Sequence, residues 1–151
     1  MHTKNGFTMI ELVFVIVVLG ILAAVAIPRL AATRDDANIA KGRANILAIS
    51  SGILSERQAR MFRGDSTYAA DLNSSIGDDV PLFGNVLTQP VISKANPSQN
   101  MEGGWRKTAD FTYQFRGMNT DVEFTYNPAD GTFTCDRTDG TSGTQCQALT
   151  D

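Results

Sequence analysis

Histidine and cysteine are scarce in this chain of 151 residues, which has one histidine, His2, and two cysteines, Cys135 and Cys146. General acid-base and nucleophilic catalysis usually depend on a base whose pKa lies near neutrality, and histidine supplies it most often. His2 lies ahead of the first apolar run, so the rest of the chain lacks this base. We therefore expect no enzyme, no catalytic residues and no cofactor.

Positive charge is neither abundant nor clustered. The 13 Lys and Arg residues are outnumbered by 16 Asp and Glu residues, which gives a net charge of -3. Proteins that bind nucleic acid usually concentrate basic residues on one surface. Arg57, Arg60 and Arg63 do lie close together, but near the end of a predicted helix such cations complement the helix dipole. No nucleic-acid partner is therefore expected.

The two cysteines lie near the C-terminal end, in a run of Thr, Gly, Asp and Ser that is typical of a loop. A metal site would need further ligands, and His2 is far from the cysteines in the sequence. If the domain leaves the cytoplasm, Cys135 and Cys146 predict a disulfide. Closing a loop of about twelve residues would stabilise the fold by roughly 3 kcal/mol.

Asp130, Asp136 and Asp139 form a cluster of acidic residues near the cysteines in the sequence. Calcium prefers carboxylate and carbonyl oxygens, but this spacing matches no EF-hand. Aspartate is also frequent in turns for conformational reasons. We therefore predict no metal site, with a calcium loop as the alternative.

One long apolar run dominates the N-terminal part of the chain. Leu12 to Ile27 contains no charged residue, and Phe7, Met9 and Ile10 extend the run to about twenty residues with Glu11 as the one interruption. This length is sufficient to span a membrane. Lys4 and the terminal amine precede the run, so residues 1–6 are expected on the cytoplasmic side.

Two ordinary explanations of this segment are a cleaved secretory signal and an uncleaved anchor. Ala24-Val25-Ala26 resembles a signal-peptide cleavage site, and Glu11 in an anchor would extend toward the headgroups. However, an acidic side chain within a membrane segment costs about 2.5 to 3.5 kcal/mol. Neither explanation gives Glu11 a function.

The residues Lys4, Gly6, Phe7 and Glu11 resemble the processing site of the type IV pilin family, which includes the pseudopilins of type II secretion and the subunits of DNA-uptake pili. The resemblance implies cleavage between Gly6 and Phe7, methylation of the new Phe7 amine, and a role for Glu11 in assembly and register. It also implies a helix kink at Pro28. Pairing of Glu11 with the Phe7 ammonium of a neighbour would compensate two charges that apolar surroundings disfavour.

The family resemblance implies a structural subunit, a pilin, that forms a homo-oligomeric helical filament. Expected partners are the membrane, a prepilin peptidase and methyltransferase, and an inner-membrane assembly platform with its ATPase. The subunit would cross the inner membrane once with its domain in the periplasm, and become extracellular in the pilus. Alternatives are a type II secretion pseudopilin or minor pilin, a DNA-uptake or adhesion receptor at the pilus tip, and a secreted or anchored domain with an ordinary signal segment.

The apolar helix is predicted to continue beyond Pro28, from about Phe7 to Arg63, and to end at Gly64-Asp65. Two rows of residues recur at helical spacing. Two interpretations are open. Either both rows are buried against the domain, or one row packs on the sheet and the other contacts adjacent subunits. The first row is Ala37, Ala40, Ala44, Leu47, Ser51, Leu54, Gln58 and Met61, and the second is Ile39, Ile46 and Ile53.

Residues 64–108 are rich in turn-forming residues and predict a long loop with one short helix or strand at most. Trp105 lies in this region, either as a packing residue or as an exposed contact. Alternating aromatic and aliphatic residues then predict strands, with a turn at 127–131. The strand residues are Phe111, Tyr113, Phe115, Val122, Phe124, Tyr126, Phe133 and Cys135.

These patterns predict an α+β fold, in which a long N-terminal helical spine packs on a small antiparallel β-sheet followed by a C-terminal disulfide loop. The predicted segments are a leader at 1–6, a transmembrane and assembly helix at 7–30, its amphipathic continuation at 31–63, and a loop and sheet domain at 64–151.

Overall fold

A computed structural model describes residues 7–73, 81–88, 102–117 and 120–151. The predicted α+β class is confirmed, with the elements α1 Met9–Phe62, β1 Trp105–Ala109, β2 Thr112–Arg116, β3 Asp121–Asn127, β4 Thr132–Cys135 and α2 Gly140–Thr150. Contacts divide the chain into two compact units, residues 1–36 and residues 37–151.

The first unit contains the N-terminal part of α1, and its apolar side chains are exposed. The stretch Met9–Ile27 is long and apolar enough to cross a membrane, and none of it is buried within the protein. A proline inside a helix removes one backbone hydrogen bond and often causes a kink. The helix nevertheless continues through Pro28, where the predicted kink stays a prediction.

In the second unit, α1 buries one of its two apolar rows and exposes the other. Ile46 and Ile53 are buried together with Ile49, and Ile39 is partly buried. This result excludes burial of both rows within the unit, because only one row packs there. The exposed row consists of Ala37, Ala40, Ala44, Leu47, Ser51, Leu54, Gln58 and Met61.

Helix α1 ends where the sequence predicted. Gly64 adopts a left-handed conformation with φ of 84°, which costs glycine little because it has no Cβ. The N–H of Asp65 donates to the carbonyl oxygen of Arg60 at 3.0 Å, and the N–H of Gly64 donates to that of Met61 at 3.0 Å. These two bonds form a Schellman motif, which satisfies carbonyl groups of the last helical turn.

The sheet has four antiparallel strands in the order β1-β2-β3-β4. The predicted alternation is confirmed in β3, where Val122, Phe124 and Tyr126 are buried and the intervening residues are exposed. The predicted turn at 127–131 joins β3 to β4. Strand β1 lies inside the region predicted as mostly loop, because Lys107 occupies one of its inward positions and hides the alternation.

Aromatic residues form the centre of the core. Trp105 is 1% exposed, which confirms a packing role, and its ring centroid lies 5.1 Å from that of Phe115 and 5.2 Å from that of Phe124. Phe83, from the described part of the connecting region, stacks on Tyr113 at 4.8 Å. The connecting segment therefore contributes to the same core as the sheet and the isoleucine row of α1.

The C-terminal segment predicted as a disulfide loop is instead the helix α2. Its sequence, with Gly140, Gly143 and several Thr and Ser residues, has low intrinsic helix propensity. Burial of Cys146 and Leu149 in the core overrides that preference. A side chain at Gly143 would clash with the Arg137 backbone, so glycine permits the close approach of this helix.

An ion pair between the buried Lys107 and the partly buried Asp71 ties the segment after α1 to the sheet. The Lys107 ammonium contacts the Asp71 carboxylate and donates to the Asn73 carbonyl oxygen at 2.9 Å. The Tyr113 hydroxyl donates to Asp71 Oδ1 at 2.9 Å. Burial raises the pKa of Asp71, but the hydrogen bonds from Lys107 and Tyr113 outweigh burial and hold that pKa below its usual value. The segment is therefore fixed by charge as well as by apolar packing.

We expect Asp71→Asn to lower the free energy of unfolding by about 3 kcal/mol, because the Lys107 ammonium stays buried without its counter-charge. Folding lowers the pKa of Asp71 from 3.8, so its contribution is complete above that value and is lost as pH falls through the folded-state pKa. The difference from wild type, measured by urea unfolding in detergent, should shrink below about pH 4. Asp110→Asn alters an exposed carboxylate and serves as the control. Equal effects of the two substitutions would contradict a stabilising ion pair.

Candidate functional site

Helix α1 begins with a reciprocal cap made by Thr8 and Glu11. The Thr8 hydroxyl accepts a hydrogen bond from the Glu11 N–H at 3.4 Å. Glu11 Oε2 accepts from the Thr8 N–H at 3.5 Å and from the Thr8 hydroxyl at 3.4 Å. A Ser or Thr followed three residues later by Glu is the capping-box signature. Thr8 was not among the predicted site residues, although Thr8-Met9-Ile10-Glu11 has that spacing.

The cap leaves the Glu11 carboxylate accessible. Its hydrogen bonds to Thr8 are near the upper limit of length, so each is weak. The positive end of the helix dipole also favours a carboxylate in the first turn. Glu11 is exposed, and the apolar side chains that follow it are exposed too. An acidic group therefore lies at the start of an apolar helix, where a cationic partner from another molecule has access to it.

The other predicted residues of the N-terminal site are placed only in part. Phe7 directly precedes the capped helix and is 75% exposed. Lys4 and Gly6 lie outside the described residues, so the structure places one side of the predicted cleavage site. Phe7 and Glu11 both lie at the N-terminal end of α1, with Thr8 between them.

The predicted disulfide between Cys135 and Cys146 is confirmed. It joins the last residue of β4 to the middle of α2, with the Cα atoms 6.0 Å apart. Cys146 is fully buried and belongs to the same core cluster as Leu149. The bond therefore anchors a helix, rather than a loop, to the edge strand of the sheet.

The acidic residues considered for calcium do not come together as a set. Asp130 lies in the β3–β4 turn, where Thr132 donates to its carboxylate from both N–H and hydroxyl, and these bonds lower its pKa. Asp136 receives the same two bonds from Thr138, and its pKa is lowered for the same reason. Among the described residues, no group of three or more His, Cys, Asp or Glu side chains is arranged to hold a metal.

An open polar depression lies on the outer side of the sheet. Its volume is about 390 Å³. Asp136 and Asp139 line it, whereas Asp130 does not. The complete lining is Gln114, Asp121, Glu123, Thr125, Thr134, Asp136, Asp139 and Ser142.

The N-terminal segment also resembles known proteins. Residues 1–27 match the family model described as the prokaryotic N-terminal methylation motif. The type IV narrow pilus major component PilA5 of Thermus thermophilus is 50% identical over 47 residues, which are 31% of this chain and 40% of the relative. The type II secretion system core protein G of Pseudomonas aeruginosa is 38% identical over 50 residues, which are 33% of this chain and 35% of the relative. The N-terminal segment is therefore similar to those of a type IV pilus component and of type II secretion core proteins.

The pilin-like resemblance is thus confirmed for the N-terminal segment. A second core protein G, from Klebsiella michiganensis, is 37% identical over 52 residues, or 34% of this chain and 37% of the relative. The chain thus spans well under half the length of each of these curated relatives. No solved structure matches the chain significantly. The sheet and α2 are therefore described by their own geometry.

Replacing both cysteines, Cys135→Ser with Cys146→Ser, should lower the free energy of unfolding by about 3 kcal/mol, since the unfolded chain gains loop entropy. Thermal unfolding of the full chain in detergent measures the change. Wild type in reductant should match the double variant, and reductant should not affect the variant further. A variant as stable as oxidised wild type would show that α2 holds its place without the bond.

Proposed function

We propose that this chain is a structural subunit, a pilin, of a type IV pilus-like filament that assembles through α1. The match of residues 1–27 to the N-terminal methylation motif carries the proposal. It is supported by the exposed apolar surface of Met9–Ile27, which is unfavourable in water and needs lipid or other helices around it. The Thermus thermophilus relative is named as a pilus component, in agreement with this assignment.

Processing would precede assembly. A prepilin peptidase would cleave between Gly6 and Phe7, and the new Phe7 amine would be methylated. The segment before Phe7 would be lost, and the mature chain would begin directly before the capped first turn of α1. Residues 1–6 would lie in the cytoplasm before cleavage, since Lys4 favours that side.

The charge of Glu11 would set the register of the subunits. In a filament the surroundings of α1 are apolar side chains, which disfavour an unpaired carboxylate. The Phe7 ammonium of a neighbouring subunit would compensate it, and a misplaced subunit would leave both charges unpaired. The hydrogen bonds that Thr8 donates to the Glu11 carboxylate are weak. Replacing them with an ion pair to the neighbour's Phe7 ammonium would therefore cost little free energy.

The subunit would cross the inner membrane once, with residues 37–151 in the periplasm, and would become extracellular after assembly by a platform protein and its ATPase. The disulfide between Cys135 and Cys146 supports this topology, because such bonds persist in oxidising compartments.

A pseudopilin of type II secretion is the second candidate. Two relatives are named as type II secretion system core protein G, and they align over 33% and 34% of the chain, compared with 31% for the pilus component. The two functions share α1 and its processing. They differ in the filament that is formed and in what it moves.

Mass spectrometry of the membrane-extracted protein should find a mature chain that begins at a methylated Phe7. Processing by a prepilin peptidase requires this start, whereas a signal peptidase would leave Ile27 first. An intact Met1 would indicate an uncleaved anchor. A Gly6→Leu variant is the control, and it should keep residues 1–6 because the residue before the cut is changed.

Glu11→Ala and Glu11→Gln should both insert into the membrane, and both should strongly reduce the filaments seen by electron microscopy. Glutamine can still complete the capping box with Thr8 but has no charge, so it separates the two roles of Glu11. We expect filament yield to fall at least about tenfold in both variants, because the ammonium of the neighbour stays unpaired. Normal filaments from Glu11→Gln would reduce Glu11 to a helix cap.

A further inference from the structure

Aspartate is followed directly by glycine at two places in the chain, Asp130-Gly131 and Asp139-Gly140. In such a pair the backbone nitrogen of glycine can attack the side-chain carboxyl carbon of aspartate, because glycine has no Cβ to obstruct the approach. A new C–N bond forms, one water molecule leaves, and the product is a five-membered succinimide ring. Hydrolysis then breaks one of the two C–N bonds between the ring nitrogen and its carbonyl carbons, which gives either aspartate or isoaspartate.

The two pairs differ in how their carboxylates are held. Asp130 Oδ1 accepts hydrogen bonds from the Thr132 hydroxyl at 2.7 Å and from the Thr132 N–H at 3.0 Å. These bonds lower the pKa of Asp130 and so favour the ionised carboxylate, the form that a nucleophile attacks least readily. The Asp139 side chain is exposed and makes no capping hydrogen bond at the start of α2. Its carboxyl group therefore has the freedom to turn toward Gly140.

The two glycines differ in the space around them. The Tyr68 ring fills the space beside Gly131, where a Cβ would lie 2.2 Å from Tyr68 Cε1. The Gly131 N–H donates to the Asn127 carbonyl oxygen at 2.8 Å, which holds the attacking nitrogen within the β3–β4 turn. In the described part of the chain, no neighbouring atom lies within 4 Å of a Cβ placed on Gly140. Ring closure therefore has space at Gly140 and is obstructed at Gly131.

We propose that Asp139-Gly140 is a site of spontaneous succinimide formation and isomerisation, and that the β3–β4 turn protects Asp130-Gly131 from the same reaction. The attacking nitrogen and the carboxyl carbon both belong to this chain, and water is the other reactant. The proposal does not depend on the filament function, since it concerns two adjacent residues of the second unit.

The product would change the start of α2. In isoaspartate the chain runs through Cβ and Cγ of residue 139, which adds one methylene group to the backbone. The former main-chain carbonyl becomes part of a free carboxylate, although its oxygen accepts the Gly143 N–H at 2.6 Å in the unmodified helix. The disulfide at Cys146 and the burial of Leu149 would still hold the later turns. Isomerisation would therefore loosen the first turn of α2 while the helix stays attached.

Ageing of the purified full chain in detergent tests the site. The protein is kept near neutral pH at physiological temperature for several weeks, and isoaspartate is then located by peptide mapping with electron-transfer fragmentation. We expect isoaspartate at position 139 to exceed that at position 130 at least about tenfold, because the glycine is unobstructed only at the first of these positions. A species lighter by one water molecule, the succinimide, should appear before it.

Two asparagine variants form a matched pair. In Asp139→Asn and Asp130→Asn the same attack releases ammonia instead of water, so each conversion adds a negative charge that isoelectric focusing detects. Asp139→Asn should convert at least about tenfold faster than Asp130→Asn in the folded protein, for the same steric reason. In the chain unfolded by urea with its disulfide reduced, the two variants should convert at similar rates, since the contacts around both glycines are lost.

Three results would overturn the proposal. The first is an aged wild type without isoaspartate at position 139, whether or not Asp139→Asn converts. The second is equal isomerisation at positions 130 and 139 in the folded protein. The third is a difference between the two variants that persists in urea, because the local sequence and not the fold would then select the site. Amide hydrogen exchange in the aged fraction should be faster at Gly143 and unchanged at Leu149, and unchanged exchange at both would refute the loosening of α2.

Discussion

The packing of α1 on its own sheet is the constraint on which the second unit depends. Ile46, Ile49 and Ile53 join the aromatic side chains of the sheet in one core. Glycine allows close approach at two points of the same helix, because a side chain at Gly42 would clash with Leu149 and one at Gly52 with the Val86 backbone. The helix therefore has a fixed inner side, and its opposite side is determined at the same time.

That division gives the two sides of the helix different roles in stability. Within the second unit, the inner side stabilises the fold by burying apolar area. The outer side contributes little to the stability of the second unit, because its side chains stay exposed. At the N-terminal end of α1, Thr8 donates only weak hydrogen bonds to the Glu11 carboxylate. These bonds do not hold the carboxylate firmly in one position.

The sequence predicts the parts of the fold that have a local cause. Gly64 ends α1 through its left-handed conformation, and alternation identifies β3. Strand β1 is harder to predict, since Lys107 points inward and finds Asp71 only after the chain has folded. Helix α2 is also difficult to predict from the sequence, because its residues have low helix propensity. Core packing and a disulfide, which form only in the folded chain, stabilise it. The N-terminal site is the reverse case. The motif residues Gly6, Phe7 and Glu11 are recognisable from the sequence alone. The two apolar rows of α1 are also recognisable from the sequence, but which row is buried depends on how the sheet packs.

The edges of the sheet bear on how such a protein behaves at high concentration. Strand β4 has four residues, and β1 has a register shift between Lys107 and Ala109. Short or bulged edge strands are poor templates for a further strand, so they discourage cross-β aggregation. At high concentration these two edge strands therefore disfavour amyloid-like growth through the sheet.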